Sequence, residues 1–291
     1  MTMKPGPGDR PPINLYSMNP DGNDLRMLAE PLEGFTQIGS GEWSADGTKI
    51  IADMSKGPVE TSRVVILNSD GSGLKDLGPG CMPSLSPDNS EVVFSQPGTG
   101  IMRMQSDGSD RKLIDPNGWG TQWSPDGRLI AWASGNNVVL LDTKTNERRR
   151  LMTSAQSAQL GYVYWNLGWS QNSTSIAFKA RSSDRTSTLV AVADADSAEG
   201  FRIVYSASNH INEDFTWHPD GQRVVFSFQD QPGNASRLVM VDRGASAVPE
   251  SLPGQLEGWN NLGCDWSPDG SQIAFSSHLL PQPAEWPPRG R

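Results

Sequence analysis

Several residue types and patterns that would define a function are scarce in this chain. The two cysteines, Cys81 and Cys264, are far apart in the repeat order described below, so we expect two free, partly buried thiols and no disulfide. No apolar run approaches the roughly 20 residues that span a bilayer. A formal charge of −9 and a pI near 4.8 argue against general affinity for nucleic acids or anionic membranes.

The motifs of several enzyme classes are also absent. The sequence has no HExxH or CxxC metal pattern, no Gly-x-Ser-x-Gly nucleophile turn, no P-loop and no Rossmann fingerprint. Its three histidines are His210, His218 and His278. These absences exclude the common zinc, serine-hydrolase and nucleotide-binding sites as sequence-supported hypotheses.

Both ends of the chain are rich in proline. Residues 1–12 contain no apolar signal-peptide segment and are expected to be disordered. Residues 281–291 are expected to form a Pro-rich tail. The compartment is left open: the protein is cytoplasmic, or an export signal or upstream domain lies outside this sequence.

What the chain does contain is a repeat. Trp266-Ser-Pro-Asp-Gly, followed by Ile273-Ala-Phe, has a near copy at Trp123-Ser-Pro-Asp-Gly. We call the first position of each copy the anchor, and the anchors are Trp43, Leu85, Trp123, Trp169, Trp217 and Trp266. Spacings of roughly 40–50 residues are typical of propellers and other repeat arrays.

Each repeat predicts four short strands. The first ends at the anchor, and Ser-Pro-Asp-Gly forms a turn because Pro presets φ and Gly accepts a positive φ. A β-branched second strand, a third apolar strand and a fourth strand with basic residues follow, as in Arg148-Arg-Arg. Six such repeats predict an all-β, six-bladed β-propeller over residues 13–280.

The sixth repeat lacks its last two strands. The chain after residue 277 is interrupted by prolines, whereas residues 13–28 form an orphan hairpin with an Asp-Gly turn. We therefore predict that this N-terminal hairpin completes the last blade, because closure removes the exposed sheet edges of an open array.

These motifs resemble the TolB-type propeller repeat, a WD40-like repeat with the pattern Trp-Ser-Pro-Asp-Gly…Ile-Ala-Phe. The resemblance covers residues 13 to about 277 and implies a propeller with a binding role. In that family a smaller α/β domain and a secretion signal usually precede the propeller, and neither is in this sequence. By the same resemblance, an exported form of the protein would be periplasmic or extracytoplasmic.

The repeated residues are expected to be structural, with each anchor Trp packed between blades and each turn Asp capping its own turn. Function is expected where the repeats differ, in the connections that precede each anchor and form one mouth of the axial channel. The predicted ligand-binding residues are Trp119, Tyr162, Tyr164, Trp165, Asn166, His210, Asp214, Trp259 and Asn260. Two interpretations stay open: the aromatic rings plug the channel, or they stack on a ligand.

Charged residues near the same mouth predict a cationic rim. They are Lys56, Arg63, Lys179, Arg181, Arg185 and Arg237. Such charges either solvate the surface or favour an acidic partner.

The favoured hypothesis is a non-catalytic scaffold that binds a protein or peptide, or less readily a glycan, as a monomer. The alternative is a glycan-active lyase or hydrolase that uses His210, His278 and Glu213 or Asp214. No cofactor or catalytic residue is assigned. A channel cation such as calcium, held by carbonyls and by acids such as Asp214 or Asp265, has no supporting loop motif.

Overall fold

The computed structural model describes residues 12–197, 200–208, 211–231, 234–244 and 249–279, and it leaves aside the side chains of Asn166 and of residues 211–214. The described residues form six four-stranded antiparallel sheets that follow one another around a ring. This six-bladed β-propeller confirms the predicted fold class. The predicted terminal segments 1–12 and 281–291 lie outside the described residues, except for Pro12.

The strands follow the repeat order. Blade 1 contains β3 (Gln37–Trp43), β4 (Lys49–Ser55), β5 (Arg63–Asn68) and β6 (Lys75–Pro79), and blade 2 contains β7 (Cys81–Leu85), β8 (Glu91–Gln96), β9 (Gly100–Gln105) and β10 (Lys112–Asp115). Blade 3 contains β11 (Trp119–Trp123), β12 (Leu129–Ser134), β13 (Asn137–Asp142) and β14 (Arg148–Arg150), and blade 4 contains β15 (Leu160–Trp169), β16 (Ser175–Ser182), β17 (Thr188–Asp194) and β18 (Phe201–Ala207). Blade 5 contains β19 (Ile211–Trp217), β20 (Arg223–Phe228), β21 (Arg237–Asp242) and β22 (Glu250–Ser251).

Blade 6 is built from both ends of the chain. It contains β23 (Trp259–Trp266) and β24 (Ile273–Leu279) together with β1 (Asn14–Met18) and β2 (Arg26–Ala29), in the order β2-β1-β24-β23. β1 pairs with β24 in unbroken register from Asn14↔Ser277 to Met18↔Ile273. The predicted closure by the N-terminal hairpin is therefore confirmed.

Helical structure is a minor part of the described chain. It consists of the one-turn helix α1 (Ser154–Ser157) and a short 3-10 helix (Val59–Thr61). Neither helix of the described residues has the length or apolar character needed to cross a bilayer.

The Ser-Pro-Asp-Gly turns have the geometry that the sequence predicts. In blade 6, Asp269 Oδ1 accepts hydrogen bonds from the Ser267 hydroxyl and from the amide and hydroxyl of Ser271, while Gly270 takes a φ of 71°. Asp46 and Asp88 cap their turns in the same way. We call the face that carries these turns the turn side, and the opposite face, where the first strands begin, the loop side.

The hydrophobic core of the described residues lies between the blades. It forms six clusters, each with side chains from two neighbouring blades and each with one anchor. Trp169 Nε1 donates to the Gln122 carbonyl, and Trp217 Nε1 donates to the Gly168 carbonyl, in both cases across a blade junction. The prediction that the anchors pack between blades is confirmed. Cys81 and Cys264 are free and buried, also as predicted.

Basic residues in or next to the fourth strands connect the outer rims of adjacent blades. Arg111 donates to the carbonyls of Leu77 and Pro79, and Arg148 donates to the Ile114 carbonyl. These contacts occupy backbone acceptors that would otherwise be free, and charge on an outer strand also disfavours pairing with another chain.

Candidate functional site

The innermost strand of each blade changes register just before its anchor. The shift occurs in all six pairings of a first strand with a second. Ser40, Met82, Gly120 and Gly263, each three residues before an anchor, have positive φ. Such bulges rotate the following residues relative to the sheet, and the rotated residues line the axial channel.

Side chains of second strands hold these bulges in place. The Met82 amide donates to Asp53 Oδ2 at 2.7 Å, and the Gly120 amide donates to Ser95 Oγ at 2.8 Å, both across a blade junction. Burial raises the pKa of Asp53 to about 6, and the bond from Met82 opposes this shift. The inner bulges are therefore fixed by the neighbouring blade.

The residues directly before the anchors form what we call the inner ring of the channel. Its members are Glu42, Ser84, Gln122, Gly168, Thr216 and Asp265. Side chains of this ring accept hydrogen bonds from the next anchor's amide: Trp43 N bonds Asp265 Oδ2 at 2.8 Å, and Trp123 N bonds Ser84 Oγ at 2.9 Å. Of these six residues, only Asp265 was named as a candidate from the sequence. The ring could have been recognised from the sequence, because a polar residue directly precedes the anchor in five of the six repeats.

Two carboxyl groups of the inner ring face each other where blade 6 meets blade 1. Ser84 donates to Glu42 Oε1 at 2.8 Å, and Thr216 donates to Asp265 Oδ1 at 2.8 Å. Glu42 Oε2 is buried without a hydrogen bond of normal geometry, although the Gln122 side chain lies close by. Desolvation, and then repulsion by Asp265, raise the pKa of Glu42 to about 8, while desolvation raises the pKa of Asp265 to about 6.

The inner ring separates two cavities. The turn-side cavity, about 740 Å³, is lined by all six anchors and by Pro87, Pro125, Pro219 and Pro268. The loop-side cavity, about 480 Å³, is lined by bulge residues and by Met82, Trp165 and Phe215. Glu42, Gln122 and Asp265 line both cavities.

The predicted aromatic residues of blade 4 lie together on the loop side. Tyr162 packs edge-on against Tyr164 with ring centroids 5.3 Å apart, and Tyr164 packs edge-on against Trp165 at 5.9 Å. Tyr162 is 39% exposed, whereas Trp165 lines the loop-side cavity. The three rings therefore form a continuous path from the surface towards the channel, which we call the blade-4 aromatic path.

The prediction of a cationic rim is wrong for Lys179. It lies on β16, not in a loop, and only 4% of it is exposed. Its Nζ lies 4.2 Å from the centre of the Tyr164 ring. Because β16 continues to Ser182, Lys179 lies within the strand, and its ammonium group packs against the Tyr164 ring of the aromatic path. Arg181, also on β16, bonds the Thr188 hydroxyl and the Arg185 carbonyl.

The other predicted mouth residues are less accessible to a ligand. Trp119 and Trp259 are partly buried, and Trp259 packs edge-on against Tyr16 at 6.5 Å. The Asn260 side chain accepts from the Ser236 amide at 2.8 Å and contacts His278 Nε2 at 3.2 Å, so it is occupied within the fold. His210 and the side chains of Asn166 and Asp214 lie outside the described part of the chain.

The residues of the lyase hypothesis are only partly described. Within the described residues, no group of three or more His, Cys, Asp or Glu side chains is placed to hold a metal ion. His210 and the side chains of Glu213 and Asp214 lie outside this description. His218 occupies the Ser position of a Ser-Pro-Asp-Gly turn, and its ring lies 4.8 Å from that of Trp266 on the turn side.

Comparison with known proteins identifies the fold. No family model matches the chain, and no curated protein is significantly similar to it. A solved structure provisionally identified as TolB from Agrobacterium tumefaciens is similar, with a TM-score of 0.71 and 18% identity over 94% of this chain and 100% of that one. A chain of a nidogen/laminin complex has a TM-score of 0.61 and 10% identity, over 82% of this chain and 93% of that one.

An oligogalacturonate lyase from Vibrio parahaemolyticus shares the fold with a TM-score of 0.51 and 12% identity, over 94% of this chain and 99% of that one. The same architecture therefore occurs in a component of a protein complex and in an enzyme, so the fold alone does not define a function. These comparisons show that the chain has a six-bladed β-propeller fold, and that this fold is similar to that of the structure provisionally identified as TolB.

Proposed function

We propose that this protein is a non-catalytic binding scaffold that recognises a peptide segment of a partner protein at its loop-side mouth. The observation that carries the proposal is the blade-4 aromatic path, which runs from the exposed Tyr162 to Trp165 in the channel wall. Aromatic side chains offer large, rigid contact surfaces with one polar tip, and they are enriched where binding energy is concentrated.

The surroundings of this path suit a peptide better than an apolar small molecule. Arg185 and the backbone of the β16–β17 turn lie beside Tyr162, since Gly161 approaches the Ser182 carbonyl and the Arg185 side chain. The loop-side cavity mixes apolar side chains with backbone bulges and the polar inner ring. Solved structures with this fold include a chain of a nidogen/laminin complex, so the fold is used in a protein assembly.

A displayed random-peptide library tests the proposal directly. Peptides enriched on the intact protein should lose at least about tenfold in affinity when Tyr162→Ala or Tyr164→Ala removes part of the path, which corresponds to about 1.4 kcal/mol. Leu113→Ala is the matched control, because Leu113 is 51% exposed on β10, away from the mouth. Thermal unfolding would verify that each variant is folded.

Two results would contradict the proposal. One is enrichment of no peptide. The other is enrichment of peptides whose affinity is the same for the Tyr162→Ala, Leu113→Ala and unmodified proteins. Selective binding of oligosaccharides in a parallel screen would move the assignment to a glycan.

A further inference from the structure

The turn-side cavity is formed by residues that the repeat makes identical or similar in every blade. Five indole rings and Leu85 surround it, and each anchor is largely buried, with between 4% and 8% of its surface exposed. The four prolines of the turns continue this apolar wall towards solvent. Residues that individually pack between the blades therefore together line a cavity that is open to solvent, and the empty space of about 740 Å³ includes part of that opening.

The floor of this cavity is acidic. Glu42 and Asp265 line it, and among the described residues that line it there is no Lys, Arg or His. Asp265 accepts hydrogen bonds from Trp43 and Thr216, whereas Glu42 Oε2 has no hydrogen bond of normal geometry and only the Gln122 side chain and the Leu85 amide nearby. A carboxyl pair in a poorly solvated site with an unsatisfied oxygen is stabilised by a cation that can donate hydrogen bonds.

The rim of the cavity is acidic as well. Five turn aspartates each directly follow a residue that lines the cavity: Asp46, Asp88, Asp126, Asp220 and Asp269. Asp126 and Asp220 form ion pairs with Arg128 and Arg223, whereas the other three have no ion pair among the described residues. Hydrogen bonds from the turn hydroxyls and amides lower the pKa of Asp46, Asp88 and Asp269 to about 2, so these groups are ionised at neutral pH. The three unpaired aspartates give the rim a net acidic character, which favours ligands of the opposite charge.

We infer that the turn-side cavity is a second binding site, which accepts a lysine or arginine side chain from a basic segment of a partner protein. The alkyl stem of such a side chain packs against the anchor indoles and prolines, and its cationic end reaches Glu42 and Asp265. The acidic rim then contacts the flanking basic residues of the segment. This site lies at the opposite end of the channel from the blade-4 aromatic path, and it does not depend on the function proposed for that path.

The surroundings of Glu42 define how binding depends on pH. Asp265 on β23 is the titratable group that faces Glu42, β7 and β11 present the neutral Ser84 and Gln122, and Asp53 on β4 accepts from Met82 of β7. A bound cation favours the ionised form of both inner-ring carboxyls. Affinity should therefore increase as pH rises from about 6 to above 8, with release of a proton on binding.

Three capped pentapeptides test the inference. They share one glycine- and proline-based sequence and carry lysine, arginine or uncharged norleucine at the centre. In calorimetric titrations at pH 8, the lysine or arginine peptide should bind at least tenfold more tightly than the norleucine peptide. Titration in buffers of different ionisation enthalpy should show the released proton.

Glu42→Gln is the decisive variant, because it keeps the shape of the side chain and an oxygen that can accept from Ser84. It should weaken the lysine or arginine peptide at least tenfold and remove the pH dependence above pH 7. Asp53→Asn is the matched control. Asp53 is also a buried carboxyl with a raised pKa, but it lines neither cavity. It should leave the affinity unchanged.

The inference is overturned if all three peptides bind alike, if neither cationic peptide binds, or if Glu42→Gln and Asp53→Asn have the same effect. Loss of affinity in Tyr162→Ala but not in Glu42→Gln would place the peptide at the loop side instead.

Discussion

The two openings of the channel are built from different kinds of residue. The turn-side opening is surrounded by the anchors and turns, which the repeat supplies to every blade. The loop-side opening depends on residues that differ from blade to blade, such as Tyr162, Tyr164 and Trp165 in blade 4. The comparison shows that a position that is structural in each blade can still contribute to a shared cavity once the ring brings six copies together.

The two openings should differ most in how much their residues contribute to the free energy of unfolding. Trp123→Ala should lower the free energy of unfolding by about 3–5 kcal/mol, because it empties a blade-junction cluster. Tyr162→Ala should change it by less than about 0.5 kcal/mol, because the ring is already 39% exposed. Urea unfolding of both variants measures the contrast, and equal losses would show that the loop-side rings are also core residues that plug the channel.

A smaller effect should appear at alkaline pH. Burial raises the pKa of Glu42 from 4.5 in its ordinary state to about 8, so the folded protein loses stability as pH rises through this interval and regains none above it. Glu42→Gln should remove this loss and make the variant more stable than the unmodified protein at pH 9, by on the order of a few kcal/mol. Near pH 4.5 the two proteins should differ little.

Unfolding curves at pH 5, 7 and 9 would measure this change. Asp53→Asn again provides the control, since its pKa is raised only to about 6 and its effect should be complete below pH 7. A stability difference for Glu42→Gln that does not vary with pH would contradict the assigned protonation.

The fold was predictable because its local signals repeat. The anchor, the Asp-Gly turn and the β-branched strand specify one blade, and the missing strands of blade 6 match the orphan hairpin that became β1 and β2. The turns of blades 2 and 4 depart from this pattern. Asn89 and Ser173 occupy the turn position where most blades have Gly, with φ near 60°. Each is held by a hydrogen bond with the preceding blade. The Asn89 side chain donates to Asp46 Oδ2, and the Ser173 hydroxyl accepts from the Asp126 amide.

The sites were less predictable, because they depend on contacts between distant repeats. Trp43 and Asp265 are separated by 222 positions, and only closure of the ring brings them together. Lys179 was expected on the rim, but the length of β16 places it under Tyr164. A residue's position within one repeat gives the direction of its side chain, whereas its chemical environment comes from the neighbouring blade.

Fluorine NMR of protein labelled with 5-fluorotryptophan compares the two openings in one titration. With the lysine or arginine pentapeptide, we expect the signals of Trp43, Trp123, Trp169, Trp217 and Trp266 to shift together, and those of Trp119, Trp165 and Trp259 to stay in place. Single Trp→Phe variants would assign the signals. Shifts confined to Trp119, Trp165 and Trp259 would contradict a cation site at the anchors.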